Sequence, residues 1–312
     1  MSKSNLLFFG ATGAIGSYII AAIVTSRDSF GRIAVFTSEA TLSSKSTEIN
    51  ALREKGVEII TGDVTKKEDV VRAFEGIDTV VSALGRGVIA NQVDLIRWAD
   101  ETPHIKRFLP SEYGTDIEYS PASANEKPHQ QKLKVRAALR ETKDLEYAFV
   151  VTGPYADVPF FLAAGGQKKN GSFDVKNKSA VVIGDGKGRI SLVACSDVGK
   201  FVVQTLTHWD QARGRALKLN SFTTTPLEIV EEFEKQTGDK WTVEYTPLDE
   251  LKQLEKEAWD QGASYATGFT LRRIWAEGGT LYERRDNPDI DADNTVTLSE
   301  AVKDAIRAQL ST

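Results

Sequence analysis

Little in the sequence points to an extracellular or metal-dependent protein. Its 312 residues include one cysteine and three histidines. The single cysteine, Cys195, excludes a disulfide within the chain and fits a reducing compartment. The histidines and the cysteine lie far apart in the sequence, so no metal-ligand spacing is present. We therefore expect no metal site.

The sequence also lacks long apolar runs and an excess of positive charge. No run approaches the length of a membrane span, and the N-terminus leads into the first predicted strand without room for a signal peptide. We therefore expect a cytoplasmic protein that makes no membrane contact. The net charge of −5 argues against a nucleic-acid partner, because nucleic-acid binders usually carry a basic face.

The stretch 5–19, NLLFFGATGAIGSYI, contains the most informative pattern. An apolar run predicts a strand over 6–9, and isoleucines near helical spacing predict a helix after the glycines. A strand, a glycine-rich turn and a helix in this order open dinucleotide-binding domains. The alternatives are a turn that binds no ligand and, for the threonine, a hydroxyl that caps the helix. We expect the turn to hold a pyrophosphate through Gly10, Ala11, Thr12, Gly13, Ala14, Ile15 and Gly16.

Strands alternate with helices through the first half of the chain. The patterns predict further strands over 32–36, 57–61, 78–81 and 105–109, and helices over 46–55, 68–74 and 91–101. This alternation predicts an α/β fold with a Rossmann-type doubly wound parallel sheet. The right-handed crossover rule places the glycine turn and the loops at Ser82 and Pro110 along one edge of that sheet. Small residues there, Ser82, Ala83 and Leu84, leave room for a ligand.

Residues after the second and third strands are candidates for binding the adenosine end of a dinucleotide. A residue roughly 20 positions beyond the glycines usually meets the ribose. Thr37 and Ser38 can hydrogen-bond a 2′-phosphate and Lys45 can neutralise it, whereas Glu39 would oppose it. Lys45 is equally well explained as a solvated loop charge. The pair Asp63-Val64 follows the third strand, and its carboxylate can contact the adenine amino group, cap the next helix, or do both.

From residue 154 onward we expect a smaller C-terminal α+β substrate lobe. Helices are predicted over 226–236, 248–257, 265–275 and 299–310, the last with Ser299 near its cap, and a strand over 241–245. Glycines within 184–188 predict a hairpin that precedes a strand over 189–193. Trp259, Phe269 and Trp275 either cover a pocket from this lobe or pack its own core.

Several segments together resemble a known family. They are GATGAIG at 10–16, GDV at 62–64, VVSALG at 80–85, NQ at 91–92, RFLPSEYG at 107–114 and KLKVR at 132–136. On these segments the sequence resembles the NmrA-like, isoflavone-reductase-like branch of the atypical short-chain dehydrogenases. This branch includes phenylcoumaran benzylic ether reductases and pinoresinol–lariciresinol reductases. Residues 145–151 are similar to the family's strand that leads into the substrate pocket.

The resemblance implies a division of the chain. Residues 190–191 and 196–199 are similar to the family's returning strand and helix start. The resemblance therefore implies an NAD(P)-binding domain over 1–153, with 190–222 returning to it, and a substrate-binding lobe mainly within 154–312.

The resemblance also implies an NADP(H) cofactor and a catalytic lysine. In the family, the lysine that begins a K-x-x-[IV]-R stretch is the proposed catalytic group and touches the nicotinamide ribose; here it is Lys132. No tyrosine has a lysine four positions later, so the Tyr-x-x-x-Lys pair of ordinary short-chain dehydrogenases is missing. Thr37 replaces an arginine that grips the 2′-phosphate in the plant reductases, so NAD(H) stays open. Further expected cofactor contacts are Glu112, Tyr113, Gly153, Pro154 and Tyr155.

Other interpretations of these side chains stay open at this point. From spacing alone, Lys132 is a solvated helix charge in a run with Lys127, Lys134 and Arg136; the resemblance favours the catalytic role. His129 lies one turn earlier and either relays a proton or lies on the surface, and we expect the surface.

For the two tyrosines among the candidates, ligand contact and core packing both stay open. Tyr113 either contacts a ligand or packs beneath the loop at Pro110. Tyr155 lines an apolar pocket or packs in a core. Phe160 and Phe161 are expected in the core, and Cys195 is expected as a buried small apolar residue.

The leading interpretation is an NADP(H)-dependent reductase of a small aromatic or polyketide-like secondary metabolite, present as a monomer or homodimer. One alternative is a non-catalytic dinucleotide sensor that regulates a partner protein. A further alternative is an isomerase or cyclase that retains the cofactor without hydride transfer.

Overall fold

A parallel six-stranded sheet forms the centre of the first half of the protein. The computed structural model describes residues 3–167 and 169–311. The strands of the described chain, in this sheet and outside it, are β1 (Ser4–Phe9), β2 (Phe30–Thr37), β3 (Glu58–Thr61), β4 (Thr79–Ser82), β5 (Arg107–Leu109), β6 (Glu146–Tyr147), β7 (Phe149–Val151), β8 (Ser172–Asp174), β9 (Ser179–Ile183), β10 (Ile190–Leu192), β11 (Ala216–Lys218), β12 (Phe222–Thr224) and β13 (Thr242–Thr246). The sheet order is β3-β2-β1-β4-β5-β6, and every neighbouring pair is parallel.

Helices cover both faces of this sheet. The α-helices of the described chain, in both lobes, are α1 (Gly16–Thr25), α2 (Glu39–Ser44), α3 (Ser46–Glu54), α4 (Lys67–Ala73), α5 (Gln92–Asp100), α6 (Gln130–Arg140), α7 (Cys195–Thr207), α8 (Trp209–Ala212), α9 (Pro226–Thr237), α10 (Leu248–Asp260), α11 (Ala266–Ala276) and α12 (Leu298–Leu310). Within β1, Leu6 and Phe8 pack with α1 and α7, whereas Leu7 and Phe9 pack with α4, α5 and α6. Strands buried on both faces are apolar at every position. The predicted Rossmann-type doubly wound sheet is confirmed.

The strand predicted over 145–151 is interrupted at Ala148. β6 pairs with β5, whereas β7 pairs in parallel with β11. The chain returns to this region through α7, which packs closely on α1. A Cβ built on Gly199 would lie 2.6 Å from the Tyr18 carbonyl oxygen, so a side chain there would push the two helices apart.

The remaining elements form a smaller α+β lobe. A sheet in the order β13-β9-β8 packs with α9 and α12. Phe233 stacks between Phe173 and Trp241, with ring centroids 5.7 and 4.7 Å apart. Helices α10 and α11 pack on each other around Leu251 and Phe269. Phe269 therefore belongs to the core of this lobe.

One local prediction in this lobe is wrong. The turn at 184–188 does not close a hairpin, because β9 pairs with β8 and β13 while β10 pairs with β12. The glycines produce a turn, but each strand pairs with strands elsewhere in the sequence.

Helix α12 begins where the sequence predicts it. Thr297 is its N-cap residue and forms a capping box with Glu300. Ser299 lies near this cap, as predicted, and donates a hydrogen bond to Glu232 at 2.7 Å.

Candidate functional site

The glycine turn after β1 bends the chain sharply from strand to helix. Gly10 has a φ of +86°, and a Cβ built on it would lie 2.5 Å from the Ala83 carbonyl oxygen. A Cβ on Gly16 would lie 2.0 Å from the Gly10 carbonyl oxygen. Neither position can therefore carry a side chain.

The N-terminus of α1 opens onto a large cavity. Ile15 is the N-cap residue, no side chain in the described part of the chain caps this helix, and its first turn has no acidic residue. The capping role considered for Thr12 is therefore wrong. The first N–H groups of a helix have no partner within it, and its dipole favours an anion at this end. Gly13, Ala14 and Ile15 line the cavity, so these residues fit the pyrophosphate of a dinucleotide.

The cavity has a volume of about 920 Å³ and extends from the glycine turn into the second lobe. This volume lies within the range of small-molecule and cofactor sites. From the stretch 10–16, the residues that border the cavity are Gly13, Ala14 and Ile15. The others shape the turn behind it: Gly10, Ala11, Thr12 and Gly16. The predicted cofactor contacts that line it are Gly13, Ala14, Ile15, Ala83, Leu84, Glu112, Tyr113, Lys132, Gly153, Pro154 and Tyr155.

The candidates for the adenosine end lie at the end of β2 or after it and do not line the cavity. Thr37 ends β2 and pairs with Thr61 of β3. Ser38 caps α2, a helix that the sequence does not predict, by accepting a hydrogen bond from the backbone N–H of Thr41 at 3.2 Å. Lys45 lies between α2 and α3 and pairs with Glu48 at 3.1 Å.

The third strand ends in a tight turn that occupies its carboxylate. Asp63 accepts hydrogen bonds from the Thr65 backbone N–H and hydroxyl at 2.9 and 2.7 Å. These bonds lower the pKa of Asp63. Val64 follows in the same turn, partly buried against the core that contains α4. Ser82 is buried at the end of β4. Adenosine contacts from these residues stay a prediction.

Lys132 lies in the first turn of α6 and reaches the cavity as a partly buried side chain. Its ammonium group donates a hydrogen bond to the Glu112 carbonyl oxygen. Burial lowers the pKa of this amine to about 8; Glu112 opposes the shift, and Arg86 and Arg136 add to it. The interpretation as a solvated helix charge is wrong, because α6 turns this side chain into the cavity.

Arg136, one turn after Lys132, is buried among carboxylates. Its Nε and Nη2 donate to the two carboxylate oxygens of Glu112 at 3.0 and 3.2 Å. Its Nη1 donates to Asp116 at 3.2 Å and to Glu118 at 2.7 Å. The side chain is 1% exposed, so the expectation of a solvated charge is wrong here too. The cluster holds the loop that contains Glu112 against α6.

His129 is buried, which corrects the expectation of a surface histidine. The side chain is 2% exposed, and Nδ1 lies 3.0 Å from the Ser123 carbonyl oxygen. A carbonyl only accepts, so Nδ1 carries the hydrogen and Nε2 keeps a lone pair. Within the described part of the chain, Nε2 is buried without a partner. Burial lowers the pKa of the ring, which favours the neutral form beside Lys132.

Tyr113 and Tyr155 connect the loop after β5 to the second half of the chain. The Tyr155 hydroxyl donates to the Tyr113 carbonyl oxygen. The ring of Tyr113 packs in the core formed with α1 and α7, as the packing alternative predicts, although the residue also borders the cavity. Burial raises the pKa of both hydroxyls, so both stay protonated.

Aromatic and basic side chains form the remaining walls. Phe160 is 37% exposed and lies edge-on to Tyr155, so its expected core position is wrong; Phe161 serves both core and cavity. Lys127 lies 4.6 Å from the ring centroid of Trp259. Arg86 donates to the Pro128 carbonyl oxygen at 3.4 Å. Arg86 lies four residues after the end of β4 and is not among the site residues predicted from the sequence.

One wall comes from α11, and of its lining residues only the tryptophan is predicted from the sequence. Gly268, Leu271, Arg272 and Trp275 all line the cavity. Their i, i+3, i+4, i+7 spacing defines one helix face. That spacing is the available signal, but it is the same for a face that packs in a core. The Trp275 Nε1–H donates to the Thr115 hydroxyl at 3.0 Å, which joins this wall to the loop after β5.

Three further observations concern the described chain. Cys195 is buried at the start of α7, as predicted, and burial raises the pKa of its thiol. Within residues 3–167 and 169–311, no helix is long and apolar enough to cross a membrane. In the same residues, no cluster of three or more histidine, cysteine or carboxylate side chains is arranged to hold a metal ion.

Sequence comparisons identify similar proteins. A profile described as the NmrA-like family matches residues 2–266. Phenylcoumaran benzylic ether reductase Pyrc5 of Pyrus communis is 30% identical over 262 residues, which are 82% of each chain. Isoflavone reductase of Pisum sativum is 27% identical over 308 residues, which are 93% of each chain.

Solved structures share the fold. The binary complex of leucoanthocyanidin reductase with NADPH from Vitis vinifera matches with a TM-score of 0.81 at 22% identity, over 97% of this chain and 99% of that chain. AtPrR2 with NADP⁺ and (+)pinoresinol matches with a TM-score of 0.80 at 19% identity, over 97% and 99% of the two chains. At these identities the match concerns the fold alone.

Proposed function

The chain belongs to the NmrA-like family, and we propose that it is an NADP(H)-dependent reductase of a small aromatic or polyketide-like molecule. One observation carries the proposal: a single cavity joins the open N-terminus of α1, the Lys132 amine and an aromatic wall. The relatives described above are reductases, which supports the same class of reaction. NADP(H), when bound, supplies or accepts the hydride.

We assign the two parts of the chain to the two ligands. Residues 1–153, with 190–222, hold the cofactor, and residues 154–312 mainly hold the substrate. The turn at Gly13, Ala14 and Ile15 binds the pyrophosphate, through the backbone N–H groups of Ala14 and Ile15, since that of Gly13 donates to the Gly10 carbonyl oxygen at 3.1 Å. Thr37, Ser38 and Lys45 bind the 2′-phosphate, since they offer two hydroxyls and an ammonium group at or after the end of β2, the strand beside β1.

Lys132 is the proton donor in this proposal. An ammonium group has three hydrogens. The Glu112 carbonyl takes one of them and orients the group, which leaves two for a substrate oxygen. A general acid is most effective when its pKa lies near the working pH, and burial brings the pKa of Lys132 to about 8. Arg136 acts as a positioning residue, because it holds the loop whose carbonyl orients the amine.

A fluorescence titration with NADPH, NADP⁺, NADH and NAD⁺ tests the cofactor. We expect the phosphorylated pair to bind more tightly, because the 2′-phosphate gains charge-assisted hydrogen bonds beside Thr37. Binding of none of the four would overturn the reductase proposal. Equal binding of all four would agree with a dinucleotide-dependent enzyme but would contradict the proposed 2′-phosphate site.

Lys132→Ala tests the proton donor, with Lys134→Ala on the exposed side of α6 as the matched control. NADPH oxidation is followed with a panel of small aromatic carbonyl compounds. We expect Lys132→Ala to lower turnover by about 10²–10⁴-fold, the usual contribution of a general acid, with cofactor affinity retained. Lys134→Ala should behave as the unmodified protein. Tight cofactor binding without turnover on any compound would favour a sensor instead.

A further inference from the structure

Arg272 brings a positive charge to the cavity that no carboxylate neutralises in the described part of the chain. Its Nη2 donates to the Phe161 carbonyl oxygen at 3.4 Å, which is a long contact. The next residue is the opposite case. Arg273 pairs with Glu126 at 2.7 Å, Glu255 at 2.5 Å and Glu277 at 3.0 Å. The acidic side chains around α11 therefore neutralise Arg273 and leave Arg272 unpaired.

Aromatic rings hold the Arg272 guanidinium in place. Its central carbon lies 4.3 Å from the Phe161 ring centroid and 5.4 Å from that of Trp275. Such contacts stabilise a cation but do not satisfy its N–H donors. Burial lowers the pKa of this guanidinium to about 10, so it stays charged at neutral pH at some cost. An anion that accepts from the N–H donors would remove this cost.

The backbone and an amide beside Arg272 fit a small polar ligand group. Gly171 borders the cavity, and a Cβ built there would lie 3.6 Å from Arg272 Nη1. The backbone at Gly171 therefore lies beside the guanidinium. Asn170 also lines the cavity, and its amide oxygen is buried without a partner in the described residues. That oxygen only accepts, so it fits a hydroxyl or N–H group of a ligand and not a carboxylate.

Trp275 connects this region to the proposed proton donor. Its indole N–H donates to Thr115, which follows Gly114 in the loop after β5. A Cβ built on Gly114 would lie 3.8 Å from the Lys132 ammonium nitrogen. The indole thus lies between the Lys132 side of the cavity and Arg272. An aromatic molecule against this wall would present one end to each cation.

We propose that the substrate is an aromatic molecule with a carboxylate group, that Arg272 binds the carboxylate, and that the ring lies against Trp275 with its reacting oxygen towards Lys132. A planar guanidinium binds a carboxylate through two parallel N–H donors, which gives both affinity and orientation. This inference rests on the proposed reductase function. It adds a substrate class and a specificity-determining residue to it.

Binding of matched acids and esters tests the subsite. The probes are 4-hydroxycinnamate and 4-hydroxybenzoate, each beside its methyl ester, titrated in the presence of NADP⁺ by calorimetry. We expect at least one acid to bind about tenfold or more tightly than its ester. We expect Arg272→Met to remove that preference while the ester keeps its affinity. Arg307→Met, an exposed arginine outside the cavity lining, is the charge-matched control and should leave the preference intact.

Arg272→Lys keeps the proposal testable if Arg272→Met does not fold. Lysine retains the charge but loses the paired donors, so the acid should bind several-fold more weakly and the ester equally. No acid binding more tightly than its ester, or a preference that survives Arg272→Met, would overturn the proposal. NADPH affinity is measured on the same proteins, so loss of cofactor binding, which concerns the reductase proposal, is distinguished from loss of the acid preference.

Discussion

The buried charge of Lys132 lowers the stability of the folded chain, although the proposed chemistry requires it. Burial is the main cause that lowers the pKa of the amine from 10.5 to about 8. Below both values the group is charged in the folded and the unfolded chain, so the folded state bears the full cost of burying that charge. A side chain of similar length without the charge would avoid it.

We expect Lys132→Met to raise the free energy of unfolding of the cofactor-free protein at pH 7 by about 1–3 kcal/mol. The gain should shrink as pH rises from about 8 to 10.5, because the folded protein then releases a proton that the unfolded chain still holds. Urea denaturation at several pH values measures this difference. Lys134→Met is the control. Equal stability of Lys132→Met and the unmodified protein at pH 7 would contradict the argument.

At the scale of elements, α6 and the irregular stretch 110–128 form one unit. Lys132 and Arg136 are one turn apart, and both bind the loop through Glu112. At its other end, the loop is bound to α11 by the Glu126–Arg273 pair at 2.7 Å. Because this loop is bound to two helices from different parts of the chain, it fixes the position of the proposed proton donor relative to the aromatic wall.

Arg136→Met should be strongly destabilising, because it leaves the buried carboxylate of Glu112 without its ion-pair partner. We expect a loss of about 3–5 kcal/mol in the free energy of unfolding, as for other broken buried ion pairs. Arg140→Met removes the exposed partner of Glu118 on the same helix and should cost about 1 kcal/mol or less. Chemical denaturation of both variants gives the comparison. Similar losses in the two would show that the buried cluster contributes no more than a surface pair.

The same elements show which features of the fold and the site can be predicted from local sequence patterns. The turn at Gly10 and the strand–helix alternation are local patterns, and their prediction is confirmed. The burial of Arg136 depends on acids 18 to 24 residues away in a stretch without periodicity. The unpaired state of Arg272 depends on the neighbouring Arg273, which forms the ion pairs with the surrounding carboxylates. Such outcomes follow from tertiary packing, which no local pattern encodes.

At the scale of the whole molecule, the cavity and the protein have opposite charge. The chain carries a net charge of −5. The cavity is lined by Arg86, Lys127, Lys132 and Arg272, while the carboxylate of Glu112 is bound to Arg136. A cationic cavity attracts anions by focusing the field between low-dielectric walls. A phosphate-bearing cofactor and an acidic substrate both suit this arrangement.

A cofactor in this cavity would stabilise the whole chain by binding only its folded form. At a concentration one hundred times its Kd, NADPH should add about 2.7 kcal/mol, which raises Tm by roughly 4 °C in a protein of this size. NADH at equal concentration should raise it less. Differential scanning calorimetry measures both shifts.

Gly13→Asp provides the matched variant for this prediction. A Cβ on Gly13 would lie 3.3 Å from the Gly10 carbonyl oxygen, which a small adjustment accommodates. An aspartate near a helix N-terminus interacts favourably with the helix dipole, so the cofactor-free variant should melt close to the unmodified protein. Its carboxylate would, however, repel a pyrophosphate at the same N–H groups, and the NADPH shift should disappear. A full NADPH shift in Gly13→Asp would place the pyrophosphate away from the α1 N-terminus. It would remove the observation that links the cavity to a dinucleotide.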